Sequence, residues 1–325
     1  MLRFLQQLKS WAFLIGIALF IFIVSHVDIQ KSWLLIQNSK IKWLLLALLF
    51  LLPEIFSKAL RLKLLVNKQK AHITLWHSLQ VYLSGQPLGI LTPAKLGDVS
   101  RVLVLQKTSN LRTLPALATH IADKSYDLIS LSFLALLGIL SLVVQSENYN
   151  YELAILSGIL IGMLLMYACL NPKWMKSIFR PIIATLTPST LSSELQKHGT
   201  EFYSKLQVFF SDPVQEIIPF ALSIFAWESA IFRGYLCALA LQIPISLLSL
   251  VRLLPSVIVA EFIPVSILGF GTREFALFLF FLSPEISKSA LLSFSLITVL
   301  VGPIFSAMLG SLVLTKFMRR EKRHG

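Results

Sequence analysis

GQPLGILTPAKLGDVSR, running from Gly85 to Arg101, is the stretch that decides how this chain is read. It lies in a sequence that is otherwise mostly hydrocarbon. Gly85, Pro87, Gly89, Pro93 and Gly97 are expected to interrupt the helical ladder, and Lys95, Asp98 and Arg101 would each cost a few kcal/mol facing lipid at the bilayer centre. Backbone broken in this way persists at membrane depth only where protein or a water-filled cavity surrounds it. A second stretch of the same kind, EFIPVSILGFGTRE from Glu261 to Glu274, has a proline, small residues and glycines, then a charged pair opening a new apolar run. Paired Gly/Pro-interrupted segments in corresponding positions point to a transporter's binding site.

Composition fixes the class. The chain has 325 residues, 56% of them hydrophobic and 14% charged, and a mean hydropathy of +0.76, which is that of a polytopic helical membrane protein. The formal charge of +13 is better explained by Lys and Arg gathered in cytoplasmic loops than by nucleic-acid binding, because long apolar runs separate the basic clusters. Cys169 and Cys237 both fall in apolar runs and imply no disulfide framework. No CxxC, HExxH or Walker-type motif occurs, so no cofactor or metal is expected and a nucleotide-driven pump is disfavoured. Met1 to Lys9 is basic and Trp11 to Val27 apolar, too long for a usual signal-peptide core and without a cleavage site, so an uncleaved first helix is expected.

The expected architecture is an all-α integral membrane domain over residues 1–325, with about six transmembrane helices and two re-entrant hairpins in an inverted repeat. The first half-repeat covers about 41–144 with its hairpin at 73–105, and the second about 214–316 with its hairpin at 245–281. Spans are expected near Trp11–Val27, Trp43–Leu60, Leu114–Val144, Tyr151–Leu170, Ile217–Leu241 and Ala290–Lys316. Asp28 to Lys42 reads as a short interfacial segment with Trp33 and Trp43 as anchors, and 171–212 as a cytoplasmic amphipathic segment on the membrane surface. With both termini cytoplasmic, the cytoplasmic segments hold 19 Lys and Arg, Lys58 and Arg61 counted among them, against 4 on the opposite side. That topology brings the hairpins in from opposite faces.

Several charges then fall at membrane depth. Glu54 stands four residues before Lys58 and can pair with it. Asp123 and Asp127 share one face of a helix that also carries His120 and Lys124, so a cation is expected between the carboxylates, with Arg101 or Lys95 the obvious candidates. Glu228 and Arg233, five apart, do not share a face and need other partners. The returning half-helices, beginning near Gly97 and Thr272, would present free N–H groups to an anion, with Gly269 and Gly271 at the second turn. On this reading Lys95, Gly97, Asp98, Arg101, Asp123, Lys124, Asp127, Glu228, Gly269, Gly271, Arg273 and Glu274 shape a cavity for a phosphate-bearing headgroup, with Arg101 and Arg273 as the principal ligands. The competing reading is that Asp98–Arg101, Arg273–Glu274 and the Asp123/Asp127 pair form closed ion pairs that only fix the hairpins.

The motifs carry a resemblance. PAKLGDVSRVLVLQK resembles the PGxxGExxR stretch, THIADKSYDLISL the acidic helix that follows it, and SILGFGTREFALF the GGxGxRE stretch of the transmembrane (flippase) domain of lysylphosphatidylglycerol synthases. The matching positions are Pro93, Gly97, Asp98, Arg101, Asp123, Asp127, Gly269, Gly271, Arg273 and Glu274. Ala94 stands where the family often has glycine, Asp98 where it often has glutamate, and Lys124 where it often has arginine. The soluble domain that makes the aminoacyl-lipid is missing, so the resemblance implies a stand-alone lipid-flipping domain rather than a synthase. It also implies a multi-pass protein of the bacterial or archaeal cytoplasmic membrane. The expected function is translocation of an anionic or polyprenyl-phosphate lipid, with proton or cation coupling and oligomeric state left open. The alternatives are a membrane-embedded enzyme using Asp123 or Asp127 as base, and an accessory protein that transports nothing.

Overall fold

The computed structural model describes residue 18, residues 20–143, 201–202, 204–262 and 268–324. The expected span at Tyr151–Leu170, Cys169, most of 171–212, nearly all of the first helix and Pro264 lie outside the described residues. Within them the chain is helical. The helices are α1 Ile29–Gln37, α2 Ile41–Leu49, α3 Leu51–Lys68, α4 Leu75–Ile90, α5 Arg101–Ser109, α6 Thr113–Val143, α7 Pro213–Ala240, α8 Leu247–Glu261, α9 Thr272–Phe281, α10 Lys288–Val299 and α11 Phe305–His324.

Among the described residues, four continuous helical stretches are long and apolar enough to cross a bilayer: Ile41–Lys68, Thr113–Leu142, Val214–Ala240 and Lys288–Phe317. The first has 28 residues, about 42 Å at 1.5 Å per residue against a hydrocarbon core of about 30 Å. Two of the four are locally broken. Pro53 has no N–H to give the Leu49 carbonyl, and the ladder restarts after Phe50; Pro303 sits in a π turn over Leu300–Ile304. The chain is thus an all-α membrane protein.

The glycine-rich stretch behaves differently from its expected break at Gly85. Helix α4 runs on through Gly85, Pro87 and Gly89 to Ile90, and the chain turns only at Leu91 and Thr92. The glycines serve close packing instead. A Cβ on Gly85 would press on the Arg101 side chain, one on Gly89 would collide with the Asp98 carboxylate, and one on Gly97 with the Leu88 carbonyl. After the turn, Pro93–Ser100 forms a 3-10 stretch that packs back on α4 and leads into α5, so the returning α-helix begins at Arg101 rather than near Gly97. In the second stretch α9 starts at Thr272 as expected and packs on α8.

The halves interlock. α3 packs on α7, α6 on α8 and α11 on α4. Gly138 of α6 lies against the Arg252 carbonyl of α8, and Gly310 of α11 against the Leu83 carbonyl of α4, the carbonyl that Pro87 deprives of a helical donor. The largest apolar cluster joins α2, α7, α8, α9 and α10 through fully buried Ile231, Cys237, Leu250 and Leu291. Asp28 caps α1, which docks on α10 through Ser32, Ser289 and Ser293. The described end of the segment expected on the membrane surface is not superficial. Leu206 and Phe209 are buried against Leu65, Ala118 and Tyr126.

Candidate functional site

Helix α3 carries Glu54, Lys58 and Arg61 at i, i+4 and i+7, and α6 carries His120, Asp123, Lys124 and Asp127 at comparable spacing, so each helix presents one charged stripe. The stripes meet. Arg61, fully buried, donates from Nε to Asp123 Oδ1 at 2.7 Å and from Nη1 to Asp127 Oδ1 at 2.8 Å and Ser223 Oγ at 2.6 Å. The cation between the two carboxylates is therefore Arg61, where Arg101 or Lys95 was expected. Arg101 takes the other oxygen of Asp123, from Nη2 at 2.5 Å, and its Nε donates to His120 Nδ1 at 2.8 Å. Since Nε only donates, His120 Nδ1 is an acceptor and carries no proton. Lys58 and Arg61 are 5% and 0% exposed, so they leave the count of cytoplasmic flanking charges, where sequence position alone had put them.

A second layer of pairs lies next to this buried cluster. Glu54 is shared by Lys58, at 3.1 Å, and by Arg233 reaching across from α7. Gly302 in the π turn leaves the room Arg233 needs, since a Cβ there would press on its guanidinium. Asp98 pairs with Lys124, not with Arg101. Arg273 pairs with Glu261 at 2.7 Å, not with Glu274. Gly269, at φ +78°, leaves room for the Glu261 stem. Glu274 closes the start of α9 instead: it accepts from the Gly271 N–H at 2.6 Å and from Ser295 Oγ at 2.5 Å. The amides expected to receive an anion are thus engaged internally, for the Gly97 N–H is likewise taken by Thr92 Oγ1 at 2.6 Å.

Between these layers is a cavity of about 110 Å³, partly open at the surface. It gathers Lys95 and Asp98 from the first glycine stretch, Arg273 from the second, and Lys124 and Asp127 from α6. Arg101 and Asp123 lie outside its lining, as do Gly97, Gly269, Gly271 and Glu274; half-buried Glu228 is also outside it and makes no ion pair among the described residues. Sequence reasoning missed Glu54, Lys58, Arg233, Glu261, Tyr82 and Trp227 as lining groups. The stripe Glu54, Lys58, Arg61 was the available signal, hidden by its position at the start of a basic run that looked like a loop.

The lining has five cations, and four of them are committed: Lys58 and Arg233 to Glu54, Lys124 to Asp98, Arg273 to Glu261. Lys95 alone makes no ion pair among the described residues, and the carboxylate acting on it most strongly through space is Glu261, on the other wall. Its backbone has φ +57°, a left-handed conformation unusual for lysine, which holds it at the turn after Thr92. No group of three or more His, Cys, Asp or Glu side chains is placed to hold a metal ion among the described residues. Compared with known proteins, residues 10–310 match the profile of a family described as the lysylphosphatidylglycerol synthase TM region. No curated protein matches the chain.

Proposed function

Because the chain belongs to the lysylphosphatidylglycerol synthase TM-region family, we propose that it is a translocase of an anionic lipid, moving a phosphate-bearing headgroup such as that of phosphatidylglycerol or a polyprenyl phosphate through the central cavity. The observation that carries this reading is Lys95. It is a cavity-lining cation without a carboxylate partner among the described residues, set in a wall whose other four cations each have one. An uncompensated ammonium in low dielectric is costly unless an anion visits it.

The expected inverted repeat has support of its own. Arg61 and Arg233, Gly97 and Gly269, Arg101 and Arg273, and Gly138 and Gly310 are each separated by 172 residues. The glycines of the last pair occupy comparable places, each against a carbonyl of the other half's helix. Two halves built alike and exchanged in this way suit alternate exposure of one cavity to the two leaflets, with the glycine stretches as re-entrant elements. The family resemblance supports a cytoplasmic-membrane location, and the Lys and Arg of the loops support both termini inside. The enzymatic alternative has less support, since Arg61 donates to both carboxylates that would act as base.

The test is purified protein in liposomes holding acyl-labelled phosphatidylglycerol, with reducible label followed in each leaflet and the lipid weighed before and after. Wild type speeds exchange without changing lipid mass. Asparagine tolerates the left-handed backbone, so Lys95→Asn removes the charge without refolding the turn and slows exchange by about tenfold, the weight of one charge-assisted hydrogen bond. An unchanged rate in that variant, or a chemically altered lipid, overturns the reading.

A further inference from the structure

The cavity that Lys95 lines holds a second recognition element that is already filled. Lys58 Nζ lies 4.3 Å from the centre of the Trp227 ring and 3.1 Å from Glu54 Oε1. An aromatic face beside a carboxylate is the arrangement that takes a primary or quaternary ammonium from a ligand. Here the chain's own side chain takes the place, and Trp227 is held for it by donating from Nε1 to the Asp127 carbonyl at 3.0 Å. Every cavity-lining carboxylate is likewise engaged: Glu54 by Lys58 and Arg233, Asp98 by Lys124, Asp127 by Arg61, Glu261 by Arg273.

We propose that Lys58 is a specificity residue that makes the cavity reject lipid headgroups bearing an ammonium, by occupying the Trp227–Glu54 position such a group would need. The proposal rests on the lipid-translocase reading above. A headgroup of phosphate and hydroxyls meets one free ammonium, Lys95. A headgroup that adds an amine finds each lining carboxylate already in an ion pair and the Trp227 face covered, and must bring its charge into a cavity whose one cation without an ion pair among the described residues is Lys95.

The decisive variant is Lys58→Gln. Glutamine can still hydrogen-bond Glu54, and Glu54 keeps Arg233, so no carboxylate is left bare. Acyl-labelled phosphatidylglycerol and phosphatidylethanolamine are compared in the same liposomes. Wild type is expected to favour phosphatidylglycerol by about thirtyfold, the factor a desolvated cation–π contact supplies. Lys58→Gln should close most of that gap by gaining phosphatidylethanolamine transport, and adding Trp227→Leu should remove the gain. Equal wild-type rates for the two lipids, or a Lys58→Gln variant with wild-type preference, overturn the proposal while leaving the translocase reading intact. A wild type that moves neither lipid overturns the proposal, and one that also moves no labelled polyprenyl phosphate overturns both. Should Lys58→Gln not fold, wild-type protein decides alone: glycerol phosphate is expected to raise its thermal midpoint and phosphoethanolamine not to, and equal protection by the two overturns the proposal.

Discussion

Removing the Arg61 side chain should cost more stability than any other single substitution in the charged core, and the loss should be recoverable. Arg61 is 0% exposed and, among the described residues, is the one group that donates to both side chains, Asp123 and Asp127, at 2.7 and 2.8 Å. In Arg61→Met, Asp123 keeps Arg101 at 2.5 Å, but Asp127 loses its ion pair while remaining 5% exposed. Breaking a buried pair by deleting one partner costs about 3–5 kcal/mol. With an unfolding entropy of about 2.1 cal/mol/K per residue, 325 residues give about 0.7 kcal/mol/K, so a 4 kcal/mol loss lowers the thermal midpoint by about 6 °C. Arg61→Met combined with Asp127→Asn removes the bare charge, and should recover at least about 2 kcal/mol of the loss as a coupling energy. Thermal unfolding of the four proteins in one detergent measures the cycle. Additive single effects, or a midpoint for Arg61→Met within 1 °C or so of wild type, would refute the argument that Arg61 is what neutralises the pair.

Two further substitutions test how the cavity wall is built. Gly89→Ala puts a methyl group where the Asp98 carboxylate lies and should push it off Lys124, lowering phosphatidylglycerol exchange by about tenfold and stability by about 1–3 kcal/mol, as overpacking does; normal exchange in a folded Gly89→Ala protein would count against Asp98 as a wall residue. Glu228→Gln should leave exchange within about twofold of wild type and the thermal midpoint equal or higher, because Glu228 is half-buried, lines no part of the cavity and has no ion-pair partner among the described residues. A tenfold or greater loss of exchange would return Glu228 to the site.

Much of the fold was legible because hydropathy is a local sum. Spans near Trp43–Leu60, Leu114–Val144, Ile217–Leu241 and Ala290–Lys316 coincide with the four long apolar helices, differing only at their ends. The two glycine stretches also stood out, and both reach the cavity through Lys95, Asp98 and Arg273. Their internal form was misread where a glycine has two uses. Gly85 and Gly89 looked like breaks, but burial against Arg101 and Asp98 supplies more than the helical propensity they lose. Lys58 and Arg61 were misplaced for a related reason: a basic residue after an apolar run reads as a loop unless the facing carboxylates are known.

By itself the sequence determined that the chain lies in a membrane, where its long helices fall, which two stretches are unusual, and to which family it belongs, since each of these depends on neighbours along the chain. Which charge neutralises which was decided by tertiary structure alone. Arg61 meets Asp123 and Asp127 across 62 and 66 residues, and Arg233 meets Glu54 across 179. A buried charge accepts whichever opposite partner the helix packing brings within hydrogen-bond reach, because in low dielectric any such pair far outweighs an unpaired ion. Nearness in sequence favours Asp98–Arg101 and Arg273–Glu274, but the packing of α4 on the 3-10 stretch and of α8 on α9 gives those charges to Lys124, Asp123, Glu261 and the Gly271 amide. Lys95, held at φ +57° on the tip of its turn, is the cavity-lining cation that this packing leaves without an ion pair among the described residues.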